Sequence, residues 1–201
     1  MEHGDPLAVP GTAFAYADTG YVLLGEIIER TTGTGLAEAL RTLLDYDALG
    51  LDATYLESLE PVPAAAQPRT HAYFLDIDRD RLDPSVDLYG GGGLVAPMAD
   101  VARFYRALLA GEVFEDPETL ETMLDVPEYS SADPAGMGIY LNVLSSEECW
   151  SHQGFWGTVA ATCPGPDITV TVAIGQAQSE LDLNDVAADA IEAVNSARIE
   201  G

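Results

Sequence analysis

The chain has 201 residues, of which 47% are hydrophobic, so it is long enough for one domain with a sizeable core and too apolar for wholesale disorder. Its formal charge is −26, because 34 acidic residues face 8 basic ones, and it contains no lysine. Without a basic stripe to neutralise phosphates, we expect no binding to nucleic acid.

The acidity has two interpretations. Self-repulsion at this charge destabilises a compact chain unless salt screens it, and at about 1 M salt the Debye length falls to about 3 Å. Enrichment in Asp and Glu with depletion of lysine is typical of proteins from extreme halophiles, so we favour a solvated, salt-adapted surface. The alternative is an acidic patch that recruits cationic partners.

The sequence carries no membrane or export signal. No apolar run reaches the roughly 18 residues of a membrane helix, and no signal peptide opens the chain. As written, the sequence predicts a protein without a membrane span, which would be cytoplasmic. An extracytoplasmic location would fit if further sequence precedes Met1.

The first half of the chain predicts two helices. Residues 7–16 form an extended loop, after which Asp18 or Thr19 caps a helix over residues 21–31. The apolar periodicity of this helix predicts a buried stripe: Val22, Leu23, Ile27 and Ile28. Gly33 ends it.

A second helix, capped by Thr34, continues to about Ala48. Residues 50–97 carry no regular pattern: they are rich in proline, then acidic, then rich in glycine. Helices are again predicted at 100–110 and 117–124.

After residue 130 the apolar period changes to two. Four strands joined by tight connections are predicted, as an antiparallel meander, at residues 138–143, 148–152, 158–162 and 168–174. A helix over 183–197 follows. With no internal repeat and no linker, we expect residues 1–201 to be a single domain, with a mostly helical lobe over 1–130 and the strands and last helix over 131–201.

Cys149 and Cys163 are the chain's two cysteines, and their spacing matches no zinc or redox motif. They lie symmetrically about Trp156, so a hairpin turning there would place them opposite each other. A cross-strand disulfide would require a Cα separation of about 4.4–6.8 Å. We favour two buried free thiols and keep the disulfide as the alternative.

Three local patterns resemble one enzyme superfamily. They are Tyr16-Ala17-Asp18 before the first helix, Gly91-Gly92-Gly93-Leu94-Val95 before the third, and Ser151-His152-Gln153-Gly154-Phe155 at a strand end. In this order and spacing they resemble the serine β-lactamase, D-alanyl-D-alanine carboxypeptidase and esterase superfamily, and most closely its class C β-lactamase-like members. The resemblance implies a mixed α/β fold in which an antiparallel sheet is flanked by helices beside a helical lobe, incomplete at the N-terminus.

One signature of the superfamily is absent. Its nucleophilic serine and its lysine lie in a Ser-x-x-Lys segment, and a chain without lysine cannot contain one. Acyl transfer by serine needs an activated hydroxyl, a base and donors to the oxyanion. We therefore expect the isolated chain to be inactive or nearly so.

By resemblance, Tyr16 is the catalytic tyrosine that shares the role of base with the lysine. Without a lysine beside it, Tyr16 should stay neutral near pH 7, and the neighbouring Asp18 would raise its pKa further. Asp18 stands where the superfamily more commonly has asparagine. An ionised carboxylate cannot donate to a substrate carbonyl as an amide does, so Asp18 favours an esterase-like or amidase-like member. Capping of the first helix is an equal alternative role for Asp18.

His152 replaces the commoner lysine of the third signature. The resemblance implies that His152 helps to set the electrostatics near Tyr16 and orients a polar group of the substrate. Gln153 and Gly154 continue that signature, and Gly154 lets the strand approach the substrate closely. The backbone N–H of Phe155 would be one oxyanion donor, and the other would belong to the absent serine.

Two loops partly resemble binding loops for other ligands, calcium in one case and phosphate in the other, but both patterns are incomplete. Asp76, Asp78 and Asp80 have the spacing of a calcium loop, but Arg81 replaces its glycine and Asp87 its glutamate, so we favour a solvated acidic loop. The glycines at 90–93 lack the Lys-Ser/Thr of a phosphate loop and favour a turn that borders the cleft. We expect no cofactor and no metal.

The sequence thus predicts the C-terminal part of a serine hydrolase that acts on a small ester, amide or lactam. Because the sheet would lack its N-terminal strands, the partner would be a complementing N-terminal polypeptide or a second copy of the chain. The alternatives are a non-catalytic protein that keeps the cleft for binding or assembly, and a truncated gene product.

Overall fold

The computed structural model describes residues 6–130 and 134–200. Its α-helices in this part of the chain are α1 (Asp18–Thr32), α2 (Leu36–Leu43), α3 (Met98–Leu109), α4 (Pro117–Leu124) and α5 (Leu183–Glu200). Its strands are β1 (Tyr55–Leu56), β2 (Tyr73–Phe74), β3 (Ile77–Asp78), β4 (Leu94–Val95), β5 (Tyr140–Leu144), β6 (Glu147–Gly154), β7 (Thr158–Cys163), β8 (Ile168–Ala173) and β9 (Gln176–Ala177).

The main sheet is the antiparallel meander β5-β6-β7-β8. Successive side chains of a strand point to opposite faces. On one face Val170 and Val172 pack into a core that includes α5, and on the other the Thr171 hydroxyl donates to the Met98 carbonyl of α3. Helices therefore flank both faces, and the predicted mixed α/β fold with an antiparallel sheet is confirmed.

Cys149 and Cys163 form a disulfide between β6 and β7, with their Cα atoms 4.1 Å apart. Trp150 pairs with Thr162, so the antiparallel register places the cysteines directly opposite each other. Both are 0% exposed in the core beneath α5. The interpretation of two free thiols is therefore wrong, and the cross-strand disulfide is the correct alternative.

The start of α1 differs from the prediction. The helix begins at Asp18 with Ala17 as its N-cap, and no side chain caps it. Capping by Asp18 or Thr19 is therefore wrong. Asp18 lies in the first turn instead, where a negative charge is favourable against the helix dipole. Gly33 ends the helix in the left-handed conformation, with φ 73°.

The predicted buried face of α1 is also wrong. Three of its members are exposed: Val22 at 39%, Leu23 at 61% and Ile27 at 55%. Only Ile28 packs against the small core around α2. The helix approaches its neighbours most closely at Gly25, where an added Cβ would lie 2.9 Å from the Tyr89 ring. The closest contact is thus made at Gly25, while Val22, Leu23 and Ile27 lie to one side of it.

α2 is shorter than predicted. It starts after Gly35, not after a Thr34 cap, and it ends at Leu43. Asp45 has a φ of 44°, a left-handed conformation that stops the helix before the predicted end near Ala48. α3, α4 and α5 lie within three residues of the predicted helices.

The segment without a regular sequence pattern contains short strands. β1 pairs with β4, and β2 pairs with both β3 and β9. With two residues each, these strands are too short to show a period. The parallel pairing of β2 with β9 joins this segment to the chain that follows β8. Among the described residues, no helix has the length and apolar character needed to cross a bilayer.

Candidate active site

Tyr16 and His152 come from distant parts of the chain and lie side by side. Tyr16 belongs to the loop before α1, and His152 lies near the end of β6. Their ring centroids are 6.3 Å apart, with the ring planes inclined at 54°. Tyr16 is 49% exposed and His152 is half-buried, so both border an open site.

The His152 ring is oriented by the backbone of the next residue. Its Nδ1 lies 2.7 Å from the carbonyl oxygen of Gln153. A carbonyl oxygen only accepts, so Nδ1 carries a proton and donates it. Gln153 thus contributes to the site through its main chain, while its side chain is exposed.

The surroundings of Tyr16 disfavour its ionised form. Its pKa is raised to about 12, chiefly by partial burial and then by the hydrogen bond and negative charge of Asp18, with smaller effects of Tyr21 and Tyr140. This agrees with the prediction that the phenol is neutral near pH 7. To act as a base, Tyr16 would need a cation placed beside it.

The turn between β6 and β7 (residues 154–157, the β6–β7 turn) carries the predicted oxyanion donor. The N–H of Gly157 donates to the carbonyl of Gly154 at 3.1 Å, while no backbone carbonyl in the described part of the chain accepts from Phe155. A Cβ at Gly154 would lie 2.3 Å from the Thr158 hydroxyl oxygen, so a larger residue at this start of the turn would require the Thr158 side chain to move. The Phe155 N–H is therefore available to a ligand oxygen.

A cleft of about 560 Å³ opens beside this turn. Gln153, Gly154 and Phe155 line one side of it, and residues 178–184 line another. The second side includes the carboxylates of Glu180 and Asp182. Three of the four residues predicted to bind substrate or the oxyanion therefore line one cleft with negative charge on its rim, whereas Asp18, Tyr16 and His152 are not among its lining residues.

Sequence reasoning missed one neighbour of the pair. Tyr140 on β5 lies 5.3 Å from the His152 ring and 6.1 Å from the Phe14 ring, between centroids. It pairs with Ser151 in the β5–β6 register. Its proximity to His152 follows from the predicted meander once the register of its first hairpin is known, and that register was the missing signal.

The glycine-rich loop lies against the start of α1, and its predicted place at the border of the cleft stays a prediction. A Cβ at Gly90 would lie 2.3 Å from the Tyr21 carbonyl oxygen, and one at Gly91 would lie 3.5 Å from that of Asp18. Gly90 also has a φ of 76°. Only glycine allows this approach, which fixes the segment after Tyr16 against the loop.

The serine beside the pair is not placed to be a nucleophile. Ser151 precedes His152, but it is 1% exposed and its hydroxyl accepts from the Asn142 side chain at 2.7 Å. With no lysine in the sequence, nothing beside Tyr16 supplies the ammonium group of a Ser-x-x-Lys segment.

Within residues 6–130 and 134–200, one group of side chains has metal-ligand chemistry. Ligand atoms of His71, Asp78 and Asp80 lie within 4.8 Å of one another. Nδ1 of His71 already pairs with Asp78 at 2.8 Å, and His71 is 59% exposed. The His71 imidazole and the Asp78 carboxylate therefore already satisfy each other by a direct contact.

The family model described as Beta-lactamase matches residues 1–194. Among curated proteins, the chain is similar to the mitochondrial serine beta-lactamase-like protein LACTB of Mus musculus. The two are 30% identical over 166 residues, which cover 77% of this chain and 28% of that protein. The human LACTB protein matches with the same identity and 77% of this chain, at 29% of its own length. This chain thus spans less than a third of these relatives.

Solved structures share the fold. A D-stereospecific amidohydrolase from Streptomyces sp. superposes with a TM-score of 0.77 and 25% identity, over 92% of this chain and 57% of that one. A D-amino acid amidase from Ochrobactrum anthropi, complexed with L-phenylalanine amide, has a TM-score of 0.68 and 21% identity over 94% and 59%. A penicillin binding protein from Bacillus halodurans has a TM-score of 0.68 and 20% identity over 92% and 57%.

Proposed function

Because the chain belongs to the beta-lactamase family, we propose that residues 1–201 act as one domain that forms the tyrosine and oxyanion side of a serine hydrolase site. The main support for this proposal is that the Tyr16 and His152 rings lie 6.3 Å apart, near a turn in which the Phe155 N–H is available. In this role Tyr16 is the general base, His152 orients a polar group of the substrate, and the Phe155 N–H binds the oxyanion.

The nucleophile and its lysine come from another polypeptide segment. A second copy of this chain has no lysine either, so self-association alone does not complete the site. The ammonium group of an added Ser-x-x-Lys segment, placed beside Tyr16, would lower the pKa of that phenol from about 12 toward the range in which it can accept a proton.

The completing segment docks on the exposed face of α1. Leu23, Leu24 and Ile27 are each more than half exposed on this face. A largely apolar cavity of about 330 Å³ lies next to it, between α1, α2 and the glycine-rich loop. A serine that reaches Tyr16 must approach the start of α1, so the same segment would cover this face. The unpaired edge of β8 offers it further backbone hydrogen bonds.

The charges of the cleft favour a neutral or cationic ester or amide over an anionic lactam. Asp18 lies beside Tyr16, while Glu180 and Asp182 line the cleft. A substrate carboxylate would therefore meet no cation among these residues, whereas an amine would be attracted. The amidase named among the structural relatives, which was crystallised with an amino acid amide, is consistent with this class.

The second candidate is a non-catalytic protein that keeps the cleft for binding. It is favoured by the neutral Tyr16, whose pKa of about 12 makes it a poor base in the chain as it stands. The two candidates differ in one respect: only the hydrolase gains activity when a Ser-x-x-Lys segment is added.

The test is a chimera in which the part of the Streptomyces relative that precedes the matched region is fused before Met1. We expect this protein to hydrolyse p-nitrophenyl esters and amino acid p-nitroanilides at about 1 M KCl, and a chromogenic cephalosporin more slowly. Y16F should lower the rate at least about a hundredfold, as expected for loss of a general base. A folded chimera that is inactive, or whose activity survives Y16F, would favour the binding protein.

A further inference from the structure

Arg79 is a buried cation outside the catalytic pair. Its side chain is 3% exposed. The guanidinium donates to both carboxylate oxygens of Glu57, at 2.9 Å for the longer bond, and Arg69 donates to the same carboxylate at 2.7 Å. Burial by itself would raise the pKa of Glu57, but these hydrogen bonds outweigh it and lower that pKa. Glu57 and Arg79 are therefore both ionised and locked together.

Asp87 extends this pair toward the candidate active site. One of its carboxylate oxygens lies 3.4 Å from the Arg79 guanidinium and accepts the indole N–H of Trp156 at 2.9 Å. Trp156 lies in the β6–β7 turn, directly after Phe155. A chain of contacts thus runs from Glu57 through Arg79 and Asp87 to the turn that carries the available N–H.

The β6–β7 turn has few other anchors. Gly157 donates to Gly154 within the turn, and Ile174 donates to the Gly157 carbonyl at 2.9 Å. The Phe155 side chain is 58% exposed and touches Phe74 with ring centroids 5.6 Å apart. The indole bond to Asp87 is therefore the polar side-chain contact that ties this turn to the rest of the described chain.

We propose that Asp87, held in place by the buried Glu57–Arg79 pair, is a positioning residue that fixes the β6–β7 turn through Trp156 and so aims the Phe155 N–H into the cleft. This rests on the proposed function for its catalytic meaning, but the mechanical coupling stands on contacts alone. The ion pair keeps the Asp87 carboxylate fixed, and a charged acceptor makes a stronger bond to the indole N–H than a neutral one.

The test uses the full chain and hydrogen exchange of single amides measured by NMR. W156F removes the indole donor and leaves Glu57, Arg79 and Asp87 in place, so the fold should survive. We expect exchange at Gly157 and Ile174 to rise at least about tenfold in W156F and in D87A, with the strand amide of Ala161 unchanged. W150F is the control, because Trp150 is the chain's other tryptophan and lies on β6, outside the turn.

Two results would overturn the proposal. Unchanged exchange at Gly157 and Ile174 in W156F would show that the turn does not depend on the indole bond. An equal rise at Ala161 would show that the bond supports the whole sheet and not the turn.

Activity provides a second readout in the chimera described above. There W156F should lower kcat about tenfold or more with little change in KM, because an oxyanion donor acts mainly in the transition state. If the chimera is inactive, the proposed function fails while the exchange measurement still decides the coupling.

Discussion

The ring of Tyr16 lies 6.3 Å from that of His152, between centroids, although 136 residues separate the two in the chain. Asp18 adds a hydrogen bond and a negative charge beside Tyr16, both of which raise the pKa of the phenol, and the sequence contains no lysine to offset them. The geometry of a base is thus present while its electrostatics are not. The pKa of Tyr16 therefore depends on Asp18 and on partial burial.

Tyr16 should ionise near pH 12, with Asp18 as one cause. In an alkaline titration followed by tyrosinate absorbance, Y16F should show one phenol of that pKa fewer than the parent chain. In D18N the pKa of Tyr16 should fall, because a hydrogen bond to an anion and its charge are both removed. The matched control is D189N, which removes a charge from the exposed Asp189 on α5. An unchanged Tyr16 pKa in D18N would contradict this prediction.

The same shift has a consequence for stability. A pKa raised from 10 to about 12 in the folded state means that the unfolded chain loses its proton first as the pH rises. The contribution of Tyr16 is therefore fully present below pH 10 and lost between about 10 and 12. Burial also raises the pKa of Tyr105 to about 12, so its contribution adds to that of Tyr16 across this window.

Screening should stabilise the chain strongly. At a formal charge of −26, self-repulsion is long-ranged at about 0.1 M salt, where the Debye length is about 10 Å, and short-ranged at about 1 M, where it is about 3 Å. We expect the melting temperature to rise by at least about 10 °C between these KCl concentrations. Equimolar sucrose is the uncharged control. A melting temperature independent of KCl would mean that repulsion among the acidic side chains does not limit the stability of the fold.

The disulfide should contribute substantially to stability. Cys149 and Cys163 are separated by 14 positions, and closing a loop of about 15 residues is worth about 3 kcal/mol in the chain-entropy treatment. C149A/C163A should lower the free energy of unfolding in urea by about that amount. Loss of stability on treating the parent chain with a thiol reductant, and no loss for the double variant, would identify the bond itself as the cause. A double variant as stable as the parent would contradict the prediction.

The sequence predicted the meander and the opposed placement of the two cysteines, though not the disulfide itself, for one physical reason. Strands with a period of two and tight turns fix their own register, so Trp156 at the centre of a hairpin places Cys149 opposite Cys163. The juxtaposition of Tyr16 and His152 is a contact between distant segments that no period encodes. That contact could be predicted only from the resemblance of two short segments, around Tyr16 and His152, to signatures of the β-lactamase superfamily.

The errors on α1 have an equally physical origin. Periodicity identifies the apolar side of a helix but not whether another segment covers it. Leu23 and Ile27 lie on that side and are exposed, while the contact is made at Gly25. The network of Arg79, Asp87 and Trp156 was missed because its members are polar residues from an irregular segment, whose pairing depends wholly on tertiary structure.

Removing the buried cation should cost far more than removing an exposed one. R79M leaves the Glu57 carboxylate with Arg69 alone and should lower the free energy of unfolding by about 3 kcal/mol, the low end for breaking a buried pair. R30M is the control, because Arg30 is 77% exposed in an i,i+4 pair with Glu26, worth about 0.3–0.5 kcal/mol. Equal effects of the two variants in urea unfolding would show that burial of Arg79 does not matter.

A methyl group at Gly90 should disrupt the packing of the glycine-rich loop on α1. Gly90 and Gly111 have almost the same φ, 76° and 77°, but an added Cβ would lie 2.3 Å from the Tyr21 carbonyl oxygen at the first and meet nothing within 4 Å at the second. G111A therefore measures the backbone cost of about 1–2 kcal/mol alone. G90A should exceed it by about 1–3 kcal/mol, the usual cost of overpacking. Because the loop holds the segment after Tyr16, G90A should also move the Tyr16 pKa, whereas G111A should not. Equal losses of stability and an unmoved Tyr16 in both variants would mean that the close approach at Gly90 does not hold this part of the site.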